Sequence, residues 1–448
     1  MVVTRLRSIW TVPDLRNKIL FTLGMLLIFR IVAYIPVPGI DATQISKAIN
    51  SNTNTGLNQI FGLLDVFTGG SLQNFSIVAM GVYPYITASI VVQLLQNIIP
   101  RLADLNKEGE SGRNRLSQLT RYITVPLALL QAFGQMALLV QVGAISVSQF
   151  NLFDRATAIP TLATLISLTA GTMFLVWLGE LITENGIGNG ISLIIFANIM
   201  VKVPQTIANA VVGSSNGGGS GINNGSILQL LFIVALALAM IFAMVLVYMA
   251  QRRVPVQYPT KRRFLSGVRG GNETTYIPLQ VNSAGMIPLI FAQSILLLPV
   301  VIANFMSYSN NNTLKNLFTN LKIWFDPSNW WYWVIYGVLV AAFTFFYTTV
   351  VWEQQNMAEN LQKQGAFIPG IRPGPRTKDY LDRILYRITL GGAIFLGLVA
   401  IAPALLSRNS STQVLQAASL LIVVGVVLDT VKQLQAQMVM RNYSGFLS

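Results

Sequence analysis

The chain has no cysteine and no histidine in 448 residues. The first absence excludes disulfides, thiolate metal sites and cysteine nucleophiles. The second removes the commonest general base, the commonest metal ligand and any Ser-His-Asp triad. Charge is scarce as well: 10% of the residues are charged, against about 25% in an ordinary soluble chain. The side chains that would coat a water-facing surface are missing. Acids are rarer than bases, 16 against 30, for a net charge of +14. No GxxxxGK followed by Ser or Thr occurs, so there is no phosphate-binding loop of that kind, and no paired carboxylates or metal-ligand cluster can be read. What fills the chain is apolar residues, at 53%. The composition predicts an all-α polytopic membrane protein, with no enzyme chemistry and no cofactor, in place of about three soluble domains.

A helix needs about 20 mainly apolar residues to cross the hydrocarbon core. Ten stretches qualify. In the first half they are Ile19–Ile35, Phe75–Gln96, Tyr122–Val142, Pro160–Ile182 and Ile187–Val211. In the second half they are Ile227–Met249, Ala284–Phe305, Trp330–Val351, Ile384–Leu406 and Val414–Leu434. The fifth is the weakest, because Lys202 and Pro204 interrupt it. With the N-terminus placed in the cytosol, 23 Lys and Arg fall on the inner side and six on the outer side: Lys47, Arg155, Lys202, Lys315, Lys322 and Arg408. Arg30 lies within a span. That asymmetry predicts ten spans with both termini cytosolic. The first apolar run lacks a small-residue cleavage site and continues into Pro36 and Pro38, so it reads as a span and not as a removable leader.

Ten spans divide into two sets of five, and five is odd. If the halves are repeats, they have opposite orientations, which puts a functional site at the midplane between them. The segment from Gly213 to Gly225, GSSNGGGSGINNG, carries no charge and reads as a flexible hinge. The expected organisation is an N-terminal half, residues 1–212, a hinge loop, 213–225, and a C-terminal half, 226–448. A variable surface loop is the plainer reading of the hinge.

Ionisable groups are nearly absent from the spans, which disfavours an ion-coupled solute transporter. Arg30 is expected to snorkel to the interface. Asp429 and Lys432, three apart, are expected to form an ordinary helical pair. The unusual features are two long inner loops, about 251–281 and 353–383. The first carries six basic residues interleaved with Tyr258, Phe264 and Tyr276. The second contains AFIPGIRPGPRT, in which Pro and Gly present Arg372 on a stiff tip. Positive-inside topology accounts for scattered Lys and Arg, but not for turn chemistry around one Arg. The loops point to a large cytosolic partner.

Several strings in the chain resemble the SecY family, the central subunits of the Sec protein-conducting channel. They are YIPVPGID (34–41), FTGGSLQNFSIVAMGVYPYITASIVVQLL (67–95), KEGESGR (107–113), GIGNGISLIIFANI (186–199), VNSAGMIPLIFA (281–292) and GAFIPGIRPG (365–374). Their order matches, and together they cover most of the chain. The short tail and polar outer loops resemble the cyanobacterial or plastid type.

The resemblance implies two inverted five-helix halves with an hourglass pore and a plug between them. It implies translocation of unfolded polypeptides and lateral release of transmembrane helices into lipid. Carried over by motif, the pore ring is Val82, Ile86, Ile195, Ile199, Ile290 and Ile422. Val82 stands where Ile is commoner, which shrinks the ring by about one methylene. The plug is about 57–70, with Phe61, Leu64 and Phe67 on it and Gly69–Gly70 as its hinge. The polar cluster of the lateral gate is Thr87, Gln131 and Asn282. Arg252, Arg253 and Arg372 are the docking residues for the ribosome and the SecA motor. The implied partners are SecE and SecG, SecA, the ribosome through its rRNA, signal sequences and nascent chains, and the lipid bilayer. The implied location is the bacterial plasma membrane, the thylakoid membrane or both.

Overall fold

The computed structural model describes residues 13–38, 68–142 except 73, 155–213, 224–257, 274–306 except 283, 284 and 286, 324–325, 329–407 except 356, and 417–444. Each expected span coincides with a helix. They are α1 (Pro13–Val32), α2 (Tyr83–Ile98), α4 (Glu110–Val142), α5 (Arg155–Asn185) and α6 (Gly190–Gly213), then α7 (Asn224–Met249), α8 (Ile287–Met306), α9 (Trp330–Gln355), α11 (Pro375–Ser407) and α12 (Ala417–Ser444). Two short helices, α3 (Pro100–Lys107) and α10 (Met357–Lys363), complete the set among the described residues. By length and composition, Ala158–Asn185 and Pro375–Ala402 are long and apolar enough to cross a hydrocarbon core unaided.

Helix ends and apolar ends differ, for local reasons. The apolar stretch from Phe75 begins with turns, and helix starts only at Tyr83, with Pro84 in its first turn. Proline is tolerated there because the first N–H groups have no intrahelical acceptor. Ile99 precedes Pro100, is extended (φ −102°, ψ 109°) and separates α2 from α3, as a residue before proline favours. Elsewhere helix runs past the apolar stretch into charged sequence, as at Glu110–Arg121 and Pro375–Arg383. Lys202 and Pro204 do not interrupt α6, which continues to Gly213. In lipid the helix is the only way a lone span can satisfy its backbone, so one lost N–H is tolerated.

Within the first half, α4 packs on α2 and α5, and α5 packs on α1 and α6. Within the second, α9 packs on α8 and α11, and α12 packs on α7 and α11. Between them, α8 lies against α2 and α4, while α12 and α7 lie against α6. The hinge segment falls between α6 and α7, and residues 214–223 of it lie outside the described residues.

The fold is not helical throughout. The loop after α7 forms an antiparallel hairpin, β1 (Gln251–Gln257) with β2 (Thr274–Gln280), paired from Gln251 opposite Gln280 to Gln257 opposite Thr274. Gln257 and Phe367 then exchange backbone hydrogen bonds of 2.9 and 3.0 Å, which joins the hairpin to the loop before α11. Val254, Val256 and Leu279 share an apolar core with Leu361, Ala366, Ile368, Leu381 and Ile384. The two long loops are therefore one folded platform. Most of the second is helix, and among its described residues only 364–374 are not.

Candidate functional site

Four helices, two from each half, bring the ring candidates together. Val82 and Ile86 lie one turn apart at the start of α2, joined by the 3.1 Å bond from the Ile86 N–H to the Val82 carbonyl. Ile195 and Ile199 lie one turn apart on α6, Ile290 on α8 and Ile422 on α12. All six belong to one apolar cluster, with Val82, Ile195, Ile199 and Ile422 buried and Ile86 and Ile290 partly buried. The cluster continues into Leu175, Leu178 and Ile182 of α5 and Val340 of α9. The six side chains are thus packed together and continuous with the bundle core. Aliphatic side chains offer an ion no ligand, so a cluster of this kind excludes water and ions together.

The seam of α8 against α2 and α4 is polar. Gln131 Nε2 donates to Thr87 Oγ1 at 3.3 Å, and Thr87 Oγ1 donates to the Tyr83 carbonyl at 2.9 Å. Asn282 uses its Nδ2 on the Gly285 carbonyl at 3.0 Å and lines a small cavity with Met244, Tyr248, Leu396 and Val424. Two members of the sequence-read cluster therefore meet, while Asn282 bonds within its own turn. Sequence reasoning missed the bond that crosses the seam: Tyr83 OH donates to the Ser294 carbonyl at 2.9 Å. The legible signal was Gln293–Ser294, a polar pair in an otherwise apolar span.

The described residues of 71–82, between the Gly69–Gly70 pair and α2, form a largely buried, hydrogen-bonded stem. Val37 N–H donates to the Phe75 carbonyl and Ile77 N–H to the Ile35 carbonyl, each at 3.0 Å. Ser76 N–H donates to the Ser71 carbonyl at 2.9 Å. Gly171 of α5 lets Ile77 approach, since a Cβ there would overlap the Ile77 carbonyl oxygen. Gly69 (φ +65°) and Gly70 (φ +86°) occupy the left-handed region, where a side chain is strained. Phe61, Leu64 and Phe67 lie outside the described residues.

Three charged residues behave differently from expectation. Arg30 turns inward instead of snorkelling: its Nη1 donates to the Gly69 carbonyl at 3.0 Å and its Nη2 to Tyr34 OH at 2.8 Å. Asp429 and Lys432 do not form a simple pair. Asp429 accepts a hydrogen bond from Tyr248 OH on α7, and Lys432 Nζ lies 4.5 Å from the Tyr248 ring centroid. Both reach across to Tyr248 on a neighbouring helix.

On the platform, Arg252 and Arg253 of β1 and Arg372 at the loop tip are exposed. The tip is held by Thr377 Oγ1, which donates to the Arg372 carbonyl at 2.9 Å, and by the bond from Ile371 N–H to the Ile368 carbonyl. The three guanidinium groups stand on rigid backbone. On α10, the Lys363 ammonium, 2.9 Å from Glu359, holds that carboxyl below the usual carboxylate range.

A family model described as SecY matches residues 76–431. The chain is 40% identical over 449 residues to the protein translocase subunit SecY of Thermotoga maritima, covering 98% of this chain and 97% of that one. Two solved structures share the fold. One, described by a plug domain of SecY that stabilises the closed state of the translocation channel and maintains a membrane seal, has a TM-score of 0.59 at 17% identity. The other, Sec61 in the canine ribosome-channel complex from the endoplasmic reticulum, has a TM-score of 0.57 at 16% identity. Each alignment covers 94% of this chain and 92% of the other.

Proposed function

The chain belongs to the SecY family, and on that premise we propose how its parts divide the work. It is an integral membrane protein and a protein-conducting channel subunit, which translocates unfolded polypeptides and releases transmembrane helices into lipid. It has no chemistry of its own. The observation that carries the proposal is one aliphatic cluster to which α2, α6, α8 and α12 each contribute. Val82, Ile86, Ile195, Ile199, Ile290 and Ile422 form the ring. Aliphatic side chains change rotamer around a passing chain without demanding particular hydrogen bonds, which suits a substrate of any sequence.

Residues 1–212 and 226–448 are the two halves, hinged at 213–225. The seam of α8 with α2 and α4 is the lateral exit, and residues 57–70 are the plug. The platform faces the cytosol, as do both termini. Arg252, Arg253 and Arg372 dock the ribosome and the SecA motor there by phosphate and carboxylate contacts. SecE and SecG complete the complex, in a plasma membrane or thylakoid. The likeness to a channel bound to a ribosome supports the docking face.

The test is site-specific photocrosslinking to a preprotein stalled in translocation. A photoreactive residue replacing Ile290 is expected to capture the stalled chain. One replacing Leu168, fully buried in the core of the first half, is expected to capture none. Silence at Ile290, or equal capture at both, removes the neck from the substrate's path.

A further inference from the structure

One side chain of α7 holds α12 at two points. Tyr248 OH donates to Asp429, and Lys432, three residues further along α12, places its Nζ 4.5 Å from the Tyr248 ring centroid. The carboxylate takes the hydroxyl hydrogen and the ammonium takes the negative face of the ring. Tyr248 is 9% exposed, so both contacts are made on a buried ring.

Tyr248 is itself fixed. Two residues on, the Ala250 carbonyl accepts the Val281 N–H at 3.0 Å and closes the foot of the β1–β2 hairpin. Behind that foot, a Cβ on Gly392 of α11 would come 2.6 Å from the Val281 carbonyl oxygen, so α11 packs directly on it. In the turn that enters α8, a Cβ on Gly285 would come 3.9 Å from the Tyr248 hydroxyl, and the Asn282 side chain braces that turn through the Gly285 carbonyl. The Tyr248 hydroxyl is where α7, α12 and the entry to α8 meet.

The spacing along α12 links this point to the apolar cluster. Ile422, Val426 and Asp429 stand four and then three residues apart, on one face of the helix. Ile422 and Val426 are buried in the cluster, as is Met244, one turn before Tyr248 on α7. Aliphatic packing is non-directional, so by itself it leaves the rotation and depth of a helix weakly defined. A hydrogen bond to a carboxylate defines both.

We propose that Asp429 is a positioning residue: its bond with Tyr248, backed by Lys432 on the ring, sets the rotation and depth of α12 and so seats Ile422 and Val426 in the cluster. That the seated side chains seal a channel rests on the assignment of Ile422 to the pore ring. The clamp does not.

The chain has no cysteine, so Val426→Cys supplies a single thiol at a position that is 3% exposed. Leu168→Cys, in a second protein, supplies one in the separate core of the first half. In channel reconstituted into lipid vesicles, a maleimide is expected to label both slowly. Asp429→Leu is expected to quicken labelling at 426 about tenfold or more, the effect of losing a hydrogen bond to a charged group from a local opening equilibrium, and to leave 168 unchanged. Tyr248→Phe is expected to act in the same direction, and the double variant to label no faster than the faster single one, because all three lack the same bond. Asp429→Asn, which keeps an acceptor for the hydroxyl, is expected to recover most of the protection. Lys432→Gln is expected to give a smaller rise. An unchanged rate at 426, equal rises at 426 and 168, or additive effects of the two single variants each overturn the clamp. Resting ion conductance, measured on the same samples, is expected to rise with labelling at 426. Faster labelling there with unchanged conductance leaves the clamp standing and overturns the assignment of Ile422 to the ring.

Discussion

The two halves meet along two seams of opposite character. At one, α12 lies against α6, and the residues they give to the neck are aliphatic: Ile195, Ile199, Ile422 and Val426. At the other, α8 lies against α2 and α4, with Tyr83 bonded across it to Ser294 and, on the first-half side, Gln131 of α4 bonded to Thr87 of α2. On the helices of this second seam, Gln93 Oε1 of α2, Gln131 Oε1 of α4 and Ser294 Oγ of α8 are buried without a hydrogen-bond partner. Each such atom costs about 1–3 kcal/mol relative to its hydrated state. The aliphatic seam is at rest when shut. The polar seam is shut but incompletely satisfied, so a state that admits water or a new partner there is closer in free energy. The contrast fits the proposal that the seam of α8 with α2 and α4 is the one that parts.

The largest expected effect comes from giving the quiet seam the kind of group the other carries. Ile422→Asn puts an amide into a neck with no partner for it. Unpaired burial and lost packing together destabilise the closed state by about 3 kcal/mol. Resting conductance of the reconstituted channel should rise, and substrates with defective signals should be exported more readily. Unchanged values of both would mean that Ile422 does not line the neck.

A smaller effect, of opposite sign, is expected at the polar seam. Ser294→Ala removes a buried hydroxyl without a partner and leaves the carbonyl that Tyr83 uses. The closed state should gain about 1 kcal/mol, so insertion of a weakly apolar signal helix should slow about fivefold. Faster insertion would show that the hydroxyl is better served when the seam is shut.

The smallest expected effect is that of Tyr83→Phe, which deletes the bond across the seam and keeps the ring. Interhelical hydrogen bonds in membranes average about 0.6 kcal/mol, so insertion should quicken about threefold. An effect matching that of Ile422→Asn would make Tyr83 a main lock and erase the distinction between the seams.

The helices were legible because a span must be both apolar and about 20 residues long, and each of the ten stretches meets that condition by itself. Their ends were less so. Hydropathy marks where lipid stops, not where backbone hydrogen bonding stops, and α4, α11 and α12 continue as helix into polar sequence. Conversely, residues 75–82 are apolar yet turn, because Ile77 and Phe75 bond to the chain after α1. The hairpin was not read at all. Its valines alternate over only a few residues, and what fixes it is Phe367, more than 100 residues away.

The sequence by itself determined the class of the molecule, its spans and the family to which its motifs point, because each of these depends on composition or on short contiguous strings. It also held the ring candidates, but six aliphatic residues among so many carry no mark of their position. Only the tertiary structure decided that four helices bring them into one apolar cluster, that Arg30 reaches a glycine carbonyl 39 residues away, and that Asp429 and Lys432 both turn to Tyr248. An ionisable side chain within a span must find a partner, and the partner is set by which helices become neighbours. That is settled by packing between segments far apart in the chain, which no local pattern encodes.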